Sequence, residues 1–108
     1  MAYKVKVTDE AKVDLDEILR HIAETLSNKN AAARLLDDFE KQKNNLKDSP
    51  YMYSVCNDSR LQKKGYHRFI FYKNYVALYL INESDNENEK TVNIMHVFYA
   101  KRDYARLV

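Results

Sequence analysis

Cysteine, glycine, proline and tryptophan are almost missing from this sequence: one Cys, one Gly, one Pro and no Trp in 108 residues. The lone Cys56 forms no internal disulfide, so a core rather than covalent staples must hold the fold, as suits a reducing compartment. Cys56 lies between Val55 and Asn57, with no adjacent cation to lower its pKa, which argues against a nucleophilic thiol. One glycine cannot build a phosphate-cradling loop, and one glycine with one proline leaves little room for long flexible linkers. No apolar run approaches the roughly 20 residues of a membrane helix. The opening residues, Met1 to Thr8, lack the apolar segment of a signal peptide. No membrane association and a cytoplasmic location are therefore expected. His21, His67 and His96 are scattered, none at ligand spacing with a Cys or carboxylate, so neither a metal site nor a cofactor is expected.

What is present reads as one globular domain spanning residues 1–108, with 45% apolar and 31% charged residues. The net charge of +2 hides an asymmetry. In the second half, four of six carboxylates crowd into Glu83 to Glu89, leaving nine Lys/Arg against Asp58 and Asp103 elsewhere. Eight of the nine tyrosines also lie after residue 50. A basic, tyrosine-rich half points to an anionic partner, or to a solvated surface with aromatic rings edging a core.

Tyr3, Val5 and Val7 alternate with Lys4 and Lys6, the period of a half-buried strand. Thr8 is a natural N-cap, with Asp9 and Glu10 in the first turn of a helix. Ala11, Leu15, Ile18, Leu19, Ile22 and Leu26 then recur at helical spacing, and Ser27 to Asn30 breaks the pattern. A second helix is predicted over about Ala31 to Lys47, with Ala32, Leu35, Leu36, Phe39 and Leu46 on one side, stopped by Ser49-Pro50. Residues 51–64 read as irregular. Strands are predicted over Tyr66–Tyr72, Tyr75–Ile81 and Lys90–Tyr99, with a two-residue turn at Lys73-Asn74 and an acidic loop over Asn82–Glu89. Tyr75–Ile81 is nearly all apolar, as in a strand covered on both faces. Simple alternation puts His96 on one face with Ile94 and Phe98. Asp103–Val108 has the length of one terminal helical turn. The order β-α-α-β-β-β gives an α+β fold, a helix hairpin packed on an antiparallel sheet.

The helical carboxylates, Asp14 and Glu17 among them, are expected on the solvated face. The sheet supplies the other candidates. Arg60, Lys63, Lys64, Arg68, Lys73, Lys101 and Arg102, interleaved with tyrosines, suit phosphates and bases or a protein interface. His96 reads either as a buried, hydrogen-bonded residue or as a proton-transfer group beside Arg102.

The run KKGYHRFIF (Lys63–Phe71), the strand NYVALYLI (Asn74–Ile81) and the ending TVNIMHVFYAKRDYARLV (Thr91–Val108), in this element order, resemble the RelE/ParE superfamily of bacterial toxins. These are the toxin halves of type II toxin–antitoxin modules, often described as plasmid stabilisation proteins. The resemblance implies a growth-inhibiting toxin held by a cognate antitoxin in a toxin–antitoxin hetero-oligomer. It also implies one of two targets. In the RelE branch the toxin is a ribosome-dependent endoribonuclease that cuts mRNA; its catalytic set here would be Arg102, Lys101 and Arg68 for phosphate charge, with His96 or Tyr99 moving a proton. In the ParE branch the toxin poisons DNA gyrase by protein contact. Gly65-Tyr66-His67-Arg68 and the long helices are closer to the ParE pattern, and Val76 stands where the ribonuclease branch carries an arginine. The residues expected to meet the target are Lys63, Lys64, His67, Arg68, Lys101, Arg102 and Tyr104. A degenerate toxin that keeps only antitoxin binding is the third reading.

Overall fold

The computed structural model describes residues 3–53, 55, 56, 58–83 and 90–108. Strand β1 (Lys4–Val7) leads into α1 (Asp9–Arg20), a π-helical turn (His21–Thr25) and α2 (Lys29–Asn45). There follow the short α3 (Ser59–Lys63), β2 (His67–Phe71), β3 (Tyr75–Asn82), β4 (Thr91–Tyr99) and a closing 3-10 turn (Tyr104–Leu107). Of the expected acidic loop, Asn82–Glu89, Asn82 ends β3 and residues 84–89 lie outside the described residues. The fold is α+β, with the helix hairpin on one face of a four-stranded sheet of order β1-β4-β3-β2.

The sheet is mixed rather than antiparallel throughout, because β1 pairs parallel with β4. The helix hairpin is the reason. The Tyr3 N–H donates to the Lys47 carbonyl at 2.7 Å, so the chain leaving α2 returns to the end of the sheet where β1 begins. β2 then starts in the direction of β1, and β4, two reversals later, runs that way again.

Both long helices are capped from the side chains the sequence offers. Thr8 Oγ1 accepts the Ala11 N–H at 3.2 Å, and Asn28 Oδ1 accepts the Ala31 N–H at 3.0 Å. Each cap contributes about 1 kcal/mol. The first helix does not run straight to Leu26. Its last turn widens to π geometry, the Leu26 N–H reaching back five residues to the His21 carbonyl. The wider winding carries Leu26 off the apolar stripe, and it is 60% exposed. Leu36, also predicted for the buried side, is 37% exposed.

The helix-side core joins Leu15, Ile22, Leu35 and Phe39 to Phe69, Phe71, Tyr79 and Ile94 from the sheet. The opposite sheet face is covered too. Leu61 of α3, Tyr66 and Ala105 of the closing turn pack over Val76 and Leu78. Val76 to Tyr79 are all 0% exposed, which explains the unbroken apolar run of β3. Helix α3 forms inside the stretch predicted to be irregular. Asp58 caps it, accepting the Arg60 N–H at 2.8 Å, and Leu61 anchors it. Five residues with one buried side chain carry too little periodicity to be seen in the sequence.

Two local departures matter for function. A β-bulge places Leu78 opposite His96 but Tyr79 opposite Ile94, so Met95 is the extra residue. Every side chain after it changes face. Ile94 and Val97 point to the helices, whereas His96 and Phe98 point away. The β2–β3 turn is not Lys73-Asn74 but Tyr72-Lys73-Asn74, with φ of 48° at Tyr72 and 66° at Lys73. A carboxylate from α2 braces it: Tyr72 N–H donates to Asp38 Oδ2 at 2.6 Å.

Candidate binding surfaces

The sheet face away from the hairpin carries Arg68 and His96, on either side of the buried Leu78 in the cross-strand register. Two strand spacings, roughly 10 Å, therefore separate their backbones. The His96 ring stacks on Phe98 at 5.7 Å, and Phe98 stacks on Tyr104 at 5.8 Å. The Arg68 guanidinium donates to Tyr104 Oη at 3.3 Å. His96 is 8% exposed, and its Nδ1 lies 3.7 Å from Glu10 Oε1. The expected buried histidine is thus a ring in an aromatic ladder that pins the C-terminal segment to the sheet. Lys64 joins the same anchorage, its Nζ donating to the Val108 carbonyl at 2.9 Å.

Tyr99 and Arg102 belong elsewhere. They line a cleft of about 460 Å³ between α1, the π turn and the end of β4, together with Tyr75, Ile18, Asp14 and Glu17. Tyr75 and Tyr99 meet edge to face at 5.7 Å. The cleft follows from strand lengths. β1 stops at Val7, opposite Ile94, so β4 runs on without a neighbouring strand and α1 covers the exposed edge. Thr8 N–H donates to the Ile94 carbonyl, Thr8 Oγ1 donates to the Met95 carbonyl, and the Val97 N–H donates to Asp14 Oδ2 at 3.3 Å. Asp14, expected on a solvated face, thus stands in for a missing strand. Burial pushes its pKa up, partly opposed by the Val97 hydrogen bond.

Lys101 is exposed in the turn after β4. Beside it lies the β2–β3 turn, tied to the end of β4 by the Ala100 N–H donating to the Asn74 carbonyl at 2.7 Å. Lys73, Lys101 and Arg102 thus share one end of the molecule, with the half-buried Tyr72 and Tyr75 and the exposed Tyr99. Among the described residues none of these three cations has a carboxylate oxygen within 4 Å.

The five residues proposed from the sequence as a catalytic set therefore fall into two groups. Arg68 and His96 lie under the C-terminal segment, whereas Tyr99, Lys101 and Arg102 lie at the helix-side end of the sheet. His67, grouped with them as a target contact, points to the helix side. It stacks on Tyr79 at 5.4 Å and donates from Nδ1 to the Tyr53 carbonyl at 3.2 Å. Lys63, Lys64 and Tyr104 belong to the α3 and C-terminal covering of the other face. Cys56 is buried, and burial pushes its thiol pKa up, so it has no thiolate character. Sequence reasoning counted Lys73 among the cations of the basic half but gave no site role to Tyr75, Asp14 or Glu17. The alternation of Tyr75 with Ala77 was a usable signal, but nothing in Tyr72-Lys73 announces two positive φ angles.

Among the described residues no helix is long and apolar enough to cross a membrane. These features define a small α+β domain with both faces of its sheet covered. Residues 5–104 match the family model of the ParE toxin of the type II toxin–antitoxin system, parDE, and the chain belongs to that family. It is a toxin of a type II toxin–antitoxin module. Eight chains of solved structures also match it. One, from the chromosomal ParDE toxin–antitoxin system of P. aeruginosa, aligns with a TM-score of 0.70 at 16% identity, over 93% of this chain and 98% of the other. That likeness is one of fold. No curated protein sequence matches significantly.

Proposed function

We propose that this toxin inhibits DNA gyrase by binding it, in the cytoplasm, and that a cognate antitoxin neutralises it in a toxin–antitoxin complex. The observation that carries the gyrase reading is the dispersal of the candidate catalytic groups. Cleavage of a phosphodiester by its own 2′-hydroxyl needs cations at the phosphorane and a proton-transfer group within hydrogen-bond reach of the same atoms. Here Arg68 and Arg102 lie on different surfaces, as do His96 and Tyr99, and a whole strand separates Arg68 from His96. Val76, at the position where a ribonuclease would present an arginine, is fully buried. A contact-type inhibitor needs no convergent set.

Antitoxin binding is supported by what the helix hairpin leaves open. Val13 is 56% exposed, and Leu26 and Leu36 are exposed with it on α1, the π turn and α2. Such apolar side chains suit an amphipathic segment laid across the hairpin, and the outer edges of β1 and β2 suit strand addition.

Purified toxin added to gyrase should abolish ATP-dependent supercoiling and leave cellular mRNA without new 5′ ends on expression. Full supercoiling at saturating toxin, with new mRNA 5′ ends in vivo, would move the protein to the ribonuclease reading. Harmless expression without antitoxin would mark a degenerate toxin.

A further inference from the structure

We infer that the end of the sheet carrying Lys73, Lys101 and Arg102 is the surface that meets the toxin's target, and that it recognises an acidic protein surface bearing an aromatic or large aliphatic anchor. This rests on the reading of the protein as a contact-type toxin. Four observations converge there. The three cations share one end, held in place by the Ala100–Asn74 hydrogen bond, and have no carboxylate partners among the described residues. Uncompensated cations in a cluster raise the local potential and speed the approach of an acidic partner.

The turn that presents Lys73 is strained, with two non-glycine residues at positive φ, and a buttressing carboxylate, Asp38, holds it so. Strain kept by a dedicated brace is a mark of a site where presentation matters. The adjoining cleft of about 460 Å³, floored by Tyr75, Ile18, Val97 and Tyr99, has room for one aromatic or aliphatic side chain. Asp14 and Glu17 on its wall repel an anionic group but not an uncharged anchor side chain, so the partner's acidic groups meet the cations outside the cleft.

The hairpin surface and this end differ in kind. Val13, Leu26 and Leu36 offer apolar area for a long-lived antitoxin complex, whereas the basic end suits a transient, electrostatically steered contact. We therefore assign the basic end to the target.

The test compares wild type with the charge reversal K73E/K101E/R102E. A control, K4E/K6E/K47E, makes the same net change at the opposite end of the sheet. Growth arrest on expression, supercoiling inhibition, and affinity for the antitoxin from the adjoining reading frame are read together. The reversal should lose growth arrest and need at least roughly tenfold more toxin for half-inhibition. Its antitoxin affinity should stay within about twofold if the two surfaces are separate, and the control should keep wild-type growth arrest and supercoiling inhibition. Inhibition by wild type should also weaken with added salt, more steeply than any residual inhibition by the reversal.

Unchanged potency of the reversal, a parallel loss of antitoxin affinity, or equal damage in the control would overturn the assignment. So would a wild-type protein that arrests nothing. If wild type arrests growth while gyrase keeps full activity, the gyrase reading fails, yet the charge dependence of arrest still decides whether this surface is used. Lys101→Glu alone, at an exposed turn position, repeats the test should the triple variant not fold.

Discussion

Asp14 shows how one side chain joins fold and site. Its carboxylate satisfies the Val97 N–H at an edge that no strand covers, and it does so partly out of water. Burial raises its pKa above the unfolded value, so the folded state holds its proton more tightly. The sign follows. Between the two pKa values the folded form binds more protons, so stability rises as pH falls through that window, and the ionised Asp14 is a net cost at neutral pH. Asp14→Asn keeps an oxygen for the Val97 N–H and removes the charge. The variant should be no less stable than wild type at pH 7, with a gain below about 1 kcal/mol because solvent screens much of the effect. The advantage should vanish as pH drops below the raised pKa, which denaturant melts at pH 7 and at a pH below the ordinary carboxylate range would reveal. A variant clearly less stable at pH 7 would mean that the carboxylate's hydrogen bond outweighs its desolvation.

At the scale of elements, the β2–β3 turn makes the sharpest prediction. Lys73 at φ 66° pays for a left-handed conformation that glycine adopts freely. Lys73→Gly should stabilise the fold by roughly 1 kcal/mol, after the glycine's greater unfolded-state entropy is counted. That corresponds to about 4 °C in Tm, measurable by calorimetry. The more stable variant should also be the less toxic one, because Lys73 belongs to the basic end. A variant that is both more stable and fully toxic would remove Lys73 from the target contact.

This turn also shows where the sequence stops speaking. Strand and helix positions were legible because their apolar period is set by burial: the Val5/Val7 alternation, the Ala11–Ile22 stripe and the solid run of β3 all fall where expected. The bulge at Met95 was not. Alternation assumes an even register, and one extra residue moved His96 to the opposite face from Ile94. Nor was α3, whose single anchor Leu61 has no period. The site suffered most, since Arg68, His96, Tyr99 and Arg102 were joined only by the resemblance, and the sheet register and closing segment that place them on two surfaces leave no trace in the sequence.

For the whole molecule, the two binding surfaces should be separable. The hairpin exposes Val13, Leu26 and Leu36, apolar area from which a stable protein partner gains by burial. The V13D/L26D/L36D variant changes three exposed side chains, so the core should survive. Truncating and charging three partly exposed apolar contacts should weaken antitoxin binding by about 3 kcal/mol, or more than a hundredfold. Calorimetric titration with the antitoxin from the adjoining reading frame would measure it. The same variant should keep its potency in the supercoiling assay, and antitoxin should no longer relieve that inhibition at equimolar ratio. Near-wild-type antitoxin affinity would shift the docking to the open strand edges of β1 or β2. Loss of toxicity in step with antitoxin binding would mean that target and antitoxin share one surface, and that neutralisation is simple competition for it.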